Sequence, residues 1–206
     1  MSGKSFKFQG LAEAATVIGH PATRNRGTVG GSIAHADPAA ELPALLLAYG
    51  GSAVVQSPLG TRQVPADELF LTYLTTSLEP TDIVTEVQFP RWPPGTGWCF
   101  LEESRRHGDF AVVGVAALLT RATDGRCTQV GVAVFGVGGT PYLVSEAADL
   151  LVGQTPDANR IAAVARAAAA GVEPEDDLHA SAAFRRHLSE VLTRRALHTA
   201  AERART

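Results

Sequence analysis

Apolar residues in the first half of the chain recur at helical spacing in two segments. Residues 10–19 carry apolar side chains on each turn, and a His-Pro pair ends this predicted helix because the residue before proline disfavours the α conformation. Residues 44–49 (ALLLAY) are apolar on all sides. This pattern predicts a buried helix that begins near Pro43 and ends at a Gly-Gly pair.

Strand patterns lie between and after these helices. Residues 52–56 and 61–64 flank a Pro-Leu-Gly turn, which predicts a hairpin. Residues 65–68 open with proline and carry two acids, as the first turn of a short helix prefers. Residues 82–89 alternate apolar and polar positions and are predicted to form another strand.

The second half of the chain is predicted to form three strands followed by three helices. The strands are 98–103, 110–120 and 127–137, and the helices are 145–152, 158–170 and 181–203. On the last helix an apolar stripe of four residues is expected to face the core; it comprises Phe184, Leu188, Val191 and Leu192. We expect an α+β fold in which a three-stranded antiparallel sheet is covered by a three-helix layer.

A linker separates the two halves. Residues 91–97 (RWPPGTG) combine two prolines and two glycines and interrupt both periodicities. We therefore predict two domains, at residues 1–93 and 97–206. The first would be a partial FAD-binding domain, on the resemblance described below.

Composition narrows the class of protein. The 206 residues are 45% hydrophobic and 19% charged, which is ordinary for a globular protein, and the net charge of −3 gives no reason to expect a nucleic-acid partner. The two cysteines are far apart, so we expect neither a disulfide framework nor a zinc site. Because the sequence lacks a long apolar run and a secretory signal, we expect a cytoplasmic protein.

The candidate chemistry lies in residues 24–43 (RNRGTVGGSIAHADPAAELP). Gly27, Gly30 and Gly31 allow backbone conformations in which successive N–H groups point into one concavity, as in anion-binding nests. The hydroxyl groups of Thr28 and Ser32 flank this turn, and the arrangement suits a pyrophosphate.

Two acids follow the glycines. Asp37 is placed to cap the turn that begins at Pro38, which leaves Glu41 free to accept a hydrogen bond from a sugar hydroxyl. A plain glycine turn before a helix start would look the same. The spacing is not the G-x-G-x-x-G fingerprint of dinucleotide-binding βαβ units.

The run RNRGTVGGSIAHADPAAELPALLLA resembles the second flavin-contacting segment of a known family, the FAD-binding medium subunits of molybdenum hydroxylases. These enzymes are of the carbon monoxide dehydrogenase and xanthine dehydrogenase type, and the sequence most resembles the medium subunit of carbon monoxide dehydrogenase. The resemblance continues through residues 73–90, 104–117 and 179–197, so that it covers about residues 10–200.

This resemblance implies an electron-transfer flavoprotein subunit that binds FAD and supplies no catalytic acid, base or nucleophile to a substrate. It implies cofactor-binding roles for eight residues: Thr28, Val29, Gly30, Gly31, Ser32, His35, Glu41 and Val84. It also implies two partners, a large molybdopterin subunit and a small iron–sulfur subunit. Leu101 stands where the xanthine dehydrogenase branch has a flavin-facing lysine, so the resemblance carries no inference of reaction with NAD.

The family has an N-terminal flavin-binding subdomain whose glycine-rich loop supplies the other half of the pyrophosphate cradle. Residues 1–23 do not resemble it. We therefore also consider a truncated or split structural subunit that does not bind FAD on its own, and for which self-association is expected.

Two charged groups of residues leave alternatives open. Arg105, Arg106, His107 and Asp109 either line the flavin side of a domain interface or simply end a strand before a hairpin. The pairs at 185–186 and 194–195 are each Arg-Arg, and they form either a solvated helix face or a docking surface for a partner subunit.

Overall fold

Two layers of helices enclose an antiparallel sheet in the computed structural model, which describes residues 9–106 and 108–204. The helices are α1 (Gln9–Ala15), α2 (Pro21–Arg26), α3 (Val29–His35), α4 (Glu41–Tyr49), α5 (Ala66–Leu69), α6 (Glu146–Leu151), α7 (Ala158–Gly171) and α8 (Ala182–Arg203). The strands are β1 (Ser52–Ser57), β2 (Gly60–Pro65), β3 (Phe70–Thr72), β4 (Thr75–Thr76), β5 (Ile83–Gln88), β6 (Thr96–Ser104), β7 (Ala111–Arg121), β8 (Cys127–Phe135) and β9 (Tyr142–Leu143). The fold is α+β, as predicted.

In the described residues these strands form three antiparallel sheets. The order β2-β1-β5 forms a small sheet in the first half of the chain, and β3 pairs with β4 as a short hairpin. The main sheet has the order β6-β7-β8-β9, so the predicted three-stranded sheet carries a short fourth strand. β9 is only two residues long, and its Tyr-Leu sequence is too short to show the strand periodicity.

The faces of the main sheet pack against different helices. Val113, Val115 and Leu119 lie in the core formed with α6, α7 and α8. Side chains on the other face of β7, such as Ala116 and Leu118, lie in a second core with α4 and the small sheet. Both faces of β7 are therefore buried, which explains its nearly continuous apolar sequence.

A close approach of backbones fixes α4 on the sheet. A Cβ atom at Gly131 of β8 would overlap the carbonyl oxygen of Ala48, so only glycine admits the helix at this distance. The helix ends at Gly50, whose φ of 65° is left-handed and whose N–H donates to the carbonyls of Leu46 and Leu47. The predicted buried helix and its stop are confirmed.

Two predictions about helices need correction. The helix predicted at 10–19 ends at Ala15, since a turn replaces its last part. On α8 the predicted apolar stripe is right in part: Leu188 and Leu192 pack in the core, whereas Phe184 is exposed. The buried face also contains Ser189, Thr193 and small alanines. Small side chains let α8 lie close to β6, a reason that hydrophobicity alone does not reveal.

Candidate functional site

The three glycines of the predicted nest, Gly27, Gly30 and Gly31, lie just before and within the first turn of α3. None of the three glycines has a left-handed φ, and that of Gly27 is −67°. The nest geometry is therefore wrong. The hydroxyl of Thr28 instead accepts a hydrogen bond from the Gly31 N–H at 3.0 Å, which makes Thr28 the N-cap of the helix.

The glycine at position 31 is explained by this cap. A Cβ atom there would lie 2.8 Å from the Thr28 hydroxyl oxygen and would disturb the hydrogen bond. Thr28 and Val29 are exposed at the start of the helix, where the N–H groups of the first turn face solvent and the helix dipole favours negative charge. The first turn of α3 thus presents donors that suit an anion, by a different geometry from the predicted one.

Strand β5 lies against this turn. A Cβ atom at Gly30 would meet Val84 Cγ1 at 3.7 Å and the Val84 carbonyl oxygen at 3.8 Å. Gly30 and Val84, which are 54 positions apart in sequence, are thereby brought into contact. His35 is exposed in the last turn of α3, at the opposite end from Thr28, so the structure does not place it beside the first turn.

The chain turns sharply after α3. Ala36 ends the helix with a φ of 53°, a left-handed conformation that costs a non-glycine residue about 1 kcal/mol. Asp37 then accepts a hydrogen bond from the Ala39 N–H at 2.8 Å, which confirms the predicted turn cap. The Pro38 carbonyl accepts from the Gly136 N–H at 2.9 Å, so this turn is bound to the loop that follows β8.

Glu41 begins α4 and is buried, with 8% of its surface exposed. Burial raises the pKa of its carboxyl, its own backbone N–H lowers that pKa, and the charge of Asp37 raises it. Glu102, on β6, is a second carboxyl in this region. Its Oε2 atom is buried without a hydrogen-bond partner in the described part of the chain, and burial together with the charge of Glu41 raises its pKa to about 7.

The sequence analysis missed Glu102. In a strand, residues 98, 100 and 102 share one face, and the first two are Trp98 and Phe100. A glutamate on an otherwise aromatic face was the available signal. Leu101 projects from the other face and packs against the core beneath the C-terminal helices.

A cleft of 1080 Å³ opens beside the Asp37 turn. Arg105 and Asp109, from the predicted charged group, line it, whereas His107 lies outside the described residues. Tyr73 and Phe110 are more than half exposed there, at 62% and 67%. A cleft of this size, with aromatic and charged walls, suits a large planar ligand that also bears polar groups.

The Arg-Arg pair at 185–186 is not a solvated face. The Arg185 guanidinium is buried and donates to the carbonyls of Val112 and Gly136 at 2.6 and 2.8 Å. It also donates to the Asp177 carboxylate at 2.6 Å. Arg186 is exposed, as are Arg194 and Arg195. One member of the pair therefore fixes the wall of the cleft, and the prediction for Arg185 is wrong.

Among residues 9–106 and 108–204, no group of three or more His, Cys, Asp or Glu side chains is arranged to hold a metal ion. Within the same residues, no helix has both the length and the hydropathy needed to cross a bilayer.

Comparison with protein families gives two matches that together cover most of the chain. Residues 4–92 match the FAD binding domain in molybdopterin dehydrogenase, and residues 98–200 match the CO dehydrogenase flavoprotein C-terminal domain.

Curated relatives are similar over nearly the whole chain. The 6-hydroxypseudooxynicotine dehydrogenase complex subunit alpha of Paenarthrobacter nicotinovorans is 42% identical over 95% of this chain and 66% of its own length. The nicotine 6-hydroxylase medium subunit of the same organism is 40% identical over 94% of this chain and 67% of its own length. The chain thus spans about two thirds of the length of these relatives.

A solved structure agrees with these matches. Carbon monoxide dehydrogenase from Hydrogenophaga pseudoflava, in a form that lacks the Mo-pyranopterin moiety of its cofactor, contains a chain that superimposes with a TM-score of 0.93. It is 35% identical, and the match covers 97% of this chain and 69% of that one.

Proposed function

Because the chain belongs to the FAD-binding medium-subunit family of molybdenum hydroxylases, we propose that it is the flavoprotein subunit of such an oxidoreductase. Its role is to hold FAD so that electrons from iron–sulfur clusters pass through the flavin to an external acceptor. The observation that carries this proposal is the close approach of Gly30, in the first turn of α3, to Val84 of β5, within the segment that matches the FAD-binding family.

The first turn of α3 is the proposed site for the diphosphate. Val29 and Gly30 contribute backbone N–H groups that are not used in the helix, and the helix dipole favours the negative charge. Thr28 holds this turn in shape through its bond to Gly31, and Ser32 follows one position later. The absence of a side chain at Gly30 leaves room for close approach beside Val84.

The sugar-like part of the cofactor is proposed to reach Glu41. This carboxyl interacts with its own backbone N–H, and a carboxylate has further acceptor positions for a sugar hydroxyl. His35 is the least supported of the eight proposed residues, since it lies at the far end of α3.

The flavin ring is proposed to occupy the cleft near Phe110 and Tyr73. Both side chains offer apolar surface to a planar ring, and Arg105 and Asp109 supply polar groups at its edge. Bound FAD supplies the capacity to accept and release electrons singly or in pairs. The protein's part is to position the ring and to set its surroundings.

The assembly is also part of the proposal. We propose a large molybdopterin subunit and a small iron–sulfur subunit as partners, a cytoplasmic location, and domains at 1–93 and 97–206. Two relatives, a nicotine 6-hydroxylase medium subunit and a carbon monoxide dehydrogenase medium chain, support the proposal that this chain is one subunit of a larger enzyme.

A binding experiment with site variants tests the proposed site. Gly30→Leu adds a side chain over the proposed diphosphate position, where a Cβ itself meets only ordinary van der Waals contacts. We expect its Kd for FAD, measured by flavin fluorescence, to rise about tenfold or more, because several hydrogen bonds to a charged group are lost. Ala158→Leu, at the exposed start of α7, is the matched control and should bind like the unmodified chain.

Equal affinity of both variants would place the cofactor elsewhere. If no form of the chain binds FAD, the chain alone acts as a structural subunit and the flavoprotein role requires a further polypeptide.

A further inference from the structure

One hydrogen bond joins two exposed side chains that line the cleft from separate segments of the chain. Nη1 of the Arg105 guanidinium lies 3.2 Å from the Nδ1 atom of His179. Arg105 follows β6, whereas His179 lies 74 positions later, in the segment that precedes α8. Tyr73 and Phe110 line the same cleft. The contact therefore belongs to the space in which the flavin ring is proposed to lie.

The direction of this hydrogen bond follows from the chemistry of its partners. An arginine side chain carries only donors, so the Nδ1 atom of His179 must accept, and its ring is neutral with the proton on Nε2. A neutral acceptor orients the guanidinium without cancelling its charge, as a carboxylate would. No ion pair of the described residues includes Arg105, so its positive charge remains available to a ligand.

The backbone of His179 is fixed by Asp177. Oδ1 of this carboxylate accepts from the N–H groups of His179 and Ala180 at 2.8 and 2.9 Å, and Oδ2 accepts from the buried Arg185 guanidinium at 2.6 Å. The Ala180 N–H, the Arg185 guanidinium and the His179 N–H lower the pKa of Asp177 to about 2, so that it stays ionised at neutral pH. An exposed histidine is thereby attached to a buried arginine.

The turn that carries Arg105 is also fixed by hydrogen bonds. The Arg106 carbonyl accepts from the Ser104 hydroxyl and from the Asp109 N–H, each at 3.1 Å. Both partners of the contact therefore start from an ordered backbone, which reduces the conformational entropy lost when their side chains meet.

We propose that His179 is a positioning residue for the flavin, and that it holds the Arg105 charge where this charge favours reduced FAD over oxidised FAD. This inference rests on the proposed function for the identity of the ligand. Reduction of the ring adds two electrons and, at about pH 8, takes up one proton, so the ring gains a negative charge. In the proposed enzyme these electrons come from the iron–sulfur subunit. A cation held beside the ring stabilises the added charge.

Four variants separate the parts of this arrangement. His179→Asn keeps a neutral acceptor, since its amide oxygen can lie near the position of Nδ1, whereas His179→Leu removes the acceptor. Arg105→Leu removes the charge itself. Arg106→Leu is the matched control, because it removes the same charge from an exposed neighbour that does not line the cleft.

The first readout is the reduction potential of FAD bound to the full chain, measured at about pH 8 by anaerobic titration with dithionite and a reference dye. We expect Arg105→Leu and His179→Leu to lower the preference for reduced over oxidised FAD by about tenfold, the size of effect that a nearby unit charge has in a partly solvated site. For a two-electron couple this is about 30 mV. His179→Asn and Arg106→Leu should keep the potential of the unmodified chain.

A role of His179 in packing alone predicts a different result. It would weaken the binding of both forms of the cofactor alike, and the potential would be unchanged in His179→Leu. That outcome would overturn the proposal, as would a His179→Asn protein whose potential falls as far as that of His179→Leu.

A second readout needs no cofactor. In the FAD-free chain labelled with ¹⁵N at histidine, the Nδ1 resonance that is missing from His179→Asn should shift in Arg105→Leu, because it loses its donor. The same resonance should not shift in Arg106→Leu. A resonance that ignores Arg105→Leu would show that the contact does not form, and the proposal would fail.

The two readouts distinguish this inference from the proposed function. If all four variants bind FAD with the potential of the unmodified chain, the proposed function stands and the role of His179 is overturned. If the chain binds no FAD although the NMR shift is present, the contact between Arg105 and His179 stands. Its role toward the flavin then fails together with the flavoprotein role of the isolated chain.

Discussion

Arg203 donates a hydrogen bond to the Glu13 carboxylate at 2.7 Å, so the end of the last helix is bound to the first. The same carboxylate accepts from the Trp98 indole N–H at 2.9 Å, and the Arg203 guanidinium lies 5.5 Å from the centre of the Trp98 ring. One acid thereby joins α1, β6 and α8, and the segment that matches the FAD-binding family is held to the C-terminal sheet.

Removal of this acid should loosen the connection. Glu13→Ala leaves the Trp98 N–H and the Arg203 guanidinium without their partner, and we expect the free energy of unfolding to fall by about 1–2 kcal/mol, because the ion pair is only half-buried. Urea denaturation measures this loss. Glu103→Ala, at an exposed position of β6, should change the stability by less than about 0.5 kcal/mol. Equal effects of the two variants would show that the three-part contact contributes nothing.

The two arginines at 185 and 186 offer a sharper comparison. Arg185→Leu leaves the Val112 and Gly136 carbonyls and the Asp177 carboxylate without their donor, so we expect a loss of about 3 kcal/mol in stability. Arg186→Leu removes the same charge from an exposed neighbour and should be almost neutral. Thermal unfolding of both variants checks this difference. Similar melting temperatures would contradict the buried role of Arg185.

The close packing of α4 on β8 predicts that a larger residue at position 131 destabilises the protein. Gly131→Ala should push the helix away from β8, since its Cβ overlaps the Ala48 carbonyl, and we expect a loss of about 1–3 kcal/mol. Gly138→Ala is the control, because its Cβ would meet only the Glu173 carbonyl at 3.8 Å. Chemical denaturation of the two variants should separate them, and a stable Gly131→Ala protein would contradict this packing.

Glu102 predicts a pH dependence of stability. Its pKa is about 7 in the folded protein, raised from the ordinary value of 4.5. The folded state therefore holds this proton more tightly, and the associated stability is complete below about pH 4.5 and is lost as the pH rises through about 7. Glu102→Gln should be more stable than the unmodified chain above pH 7, by about 1–3 kcal/mol, with the advantage vanishing in acid. A constant difference across the pH range, measured by urea denaturation, would exclude a raised pKa.

The strongly periodic elements could be predicted from the sequence because a single physical cause determines them. The all-apolar run at 44–49 has no exposed alternative, and the Gly-Gly pair after it provides the left-handed stop that α4 needs. The main strands likewise follow from period-two and continuous apolar runs. The fold class and the family could therefore both be predicted from the sequence.

The site was harder to predict because its geometry depends on single contacts. Two adjacent glycines disfavour a helix on intrinsic propensity, yet the Thr28 cap and the packing of Ile33 stabilise one in α3. Arg185 and Arg186 are the same residue type, so the sequence does not tell them apart. Their positions around the helix make Arg185 a buried hydrogen-bond donor and leave Arg186 exposed to solvent. Glu102 is likewise an ordinary strand residue until its aromatic neighbours are considered.

The most direct test of the flavoprotein role is the visible absorption spectrum of the full chain after incubation with FAD and gel filtration. We predict that the protein peak carries a flavin band corresponding to one FAD per chain, and that Gly30→Leu, whose added Cβ meets only ordinary van der Waals contacts, loses most of it. A protein peak without flavin absorption would contradict the proposal that this chain by itself holds the cofactor.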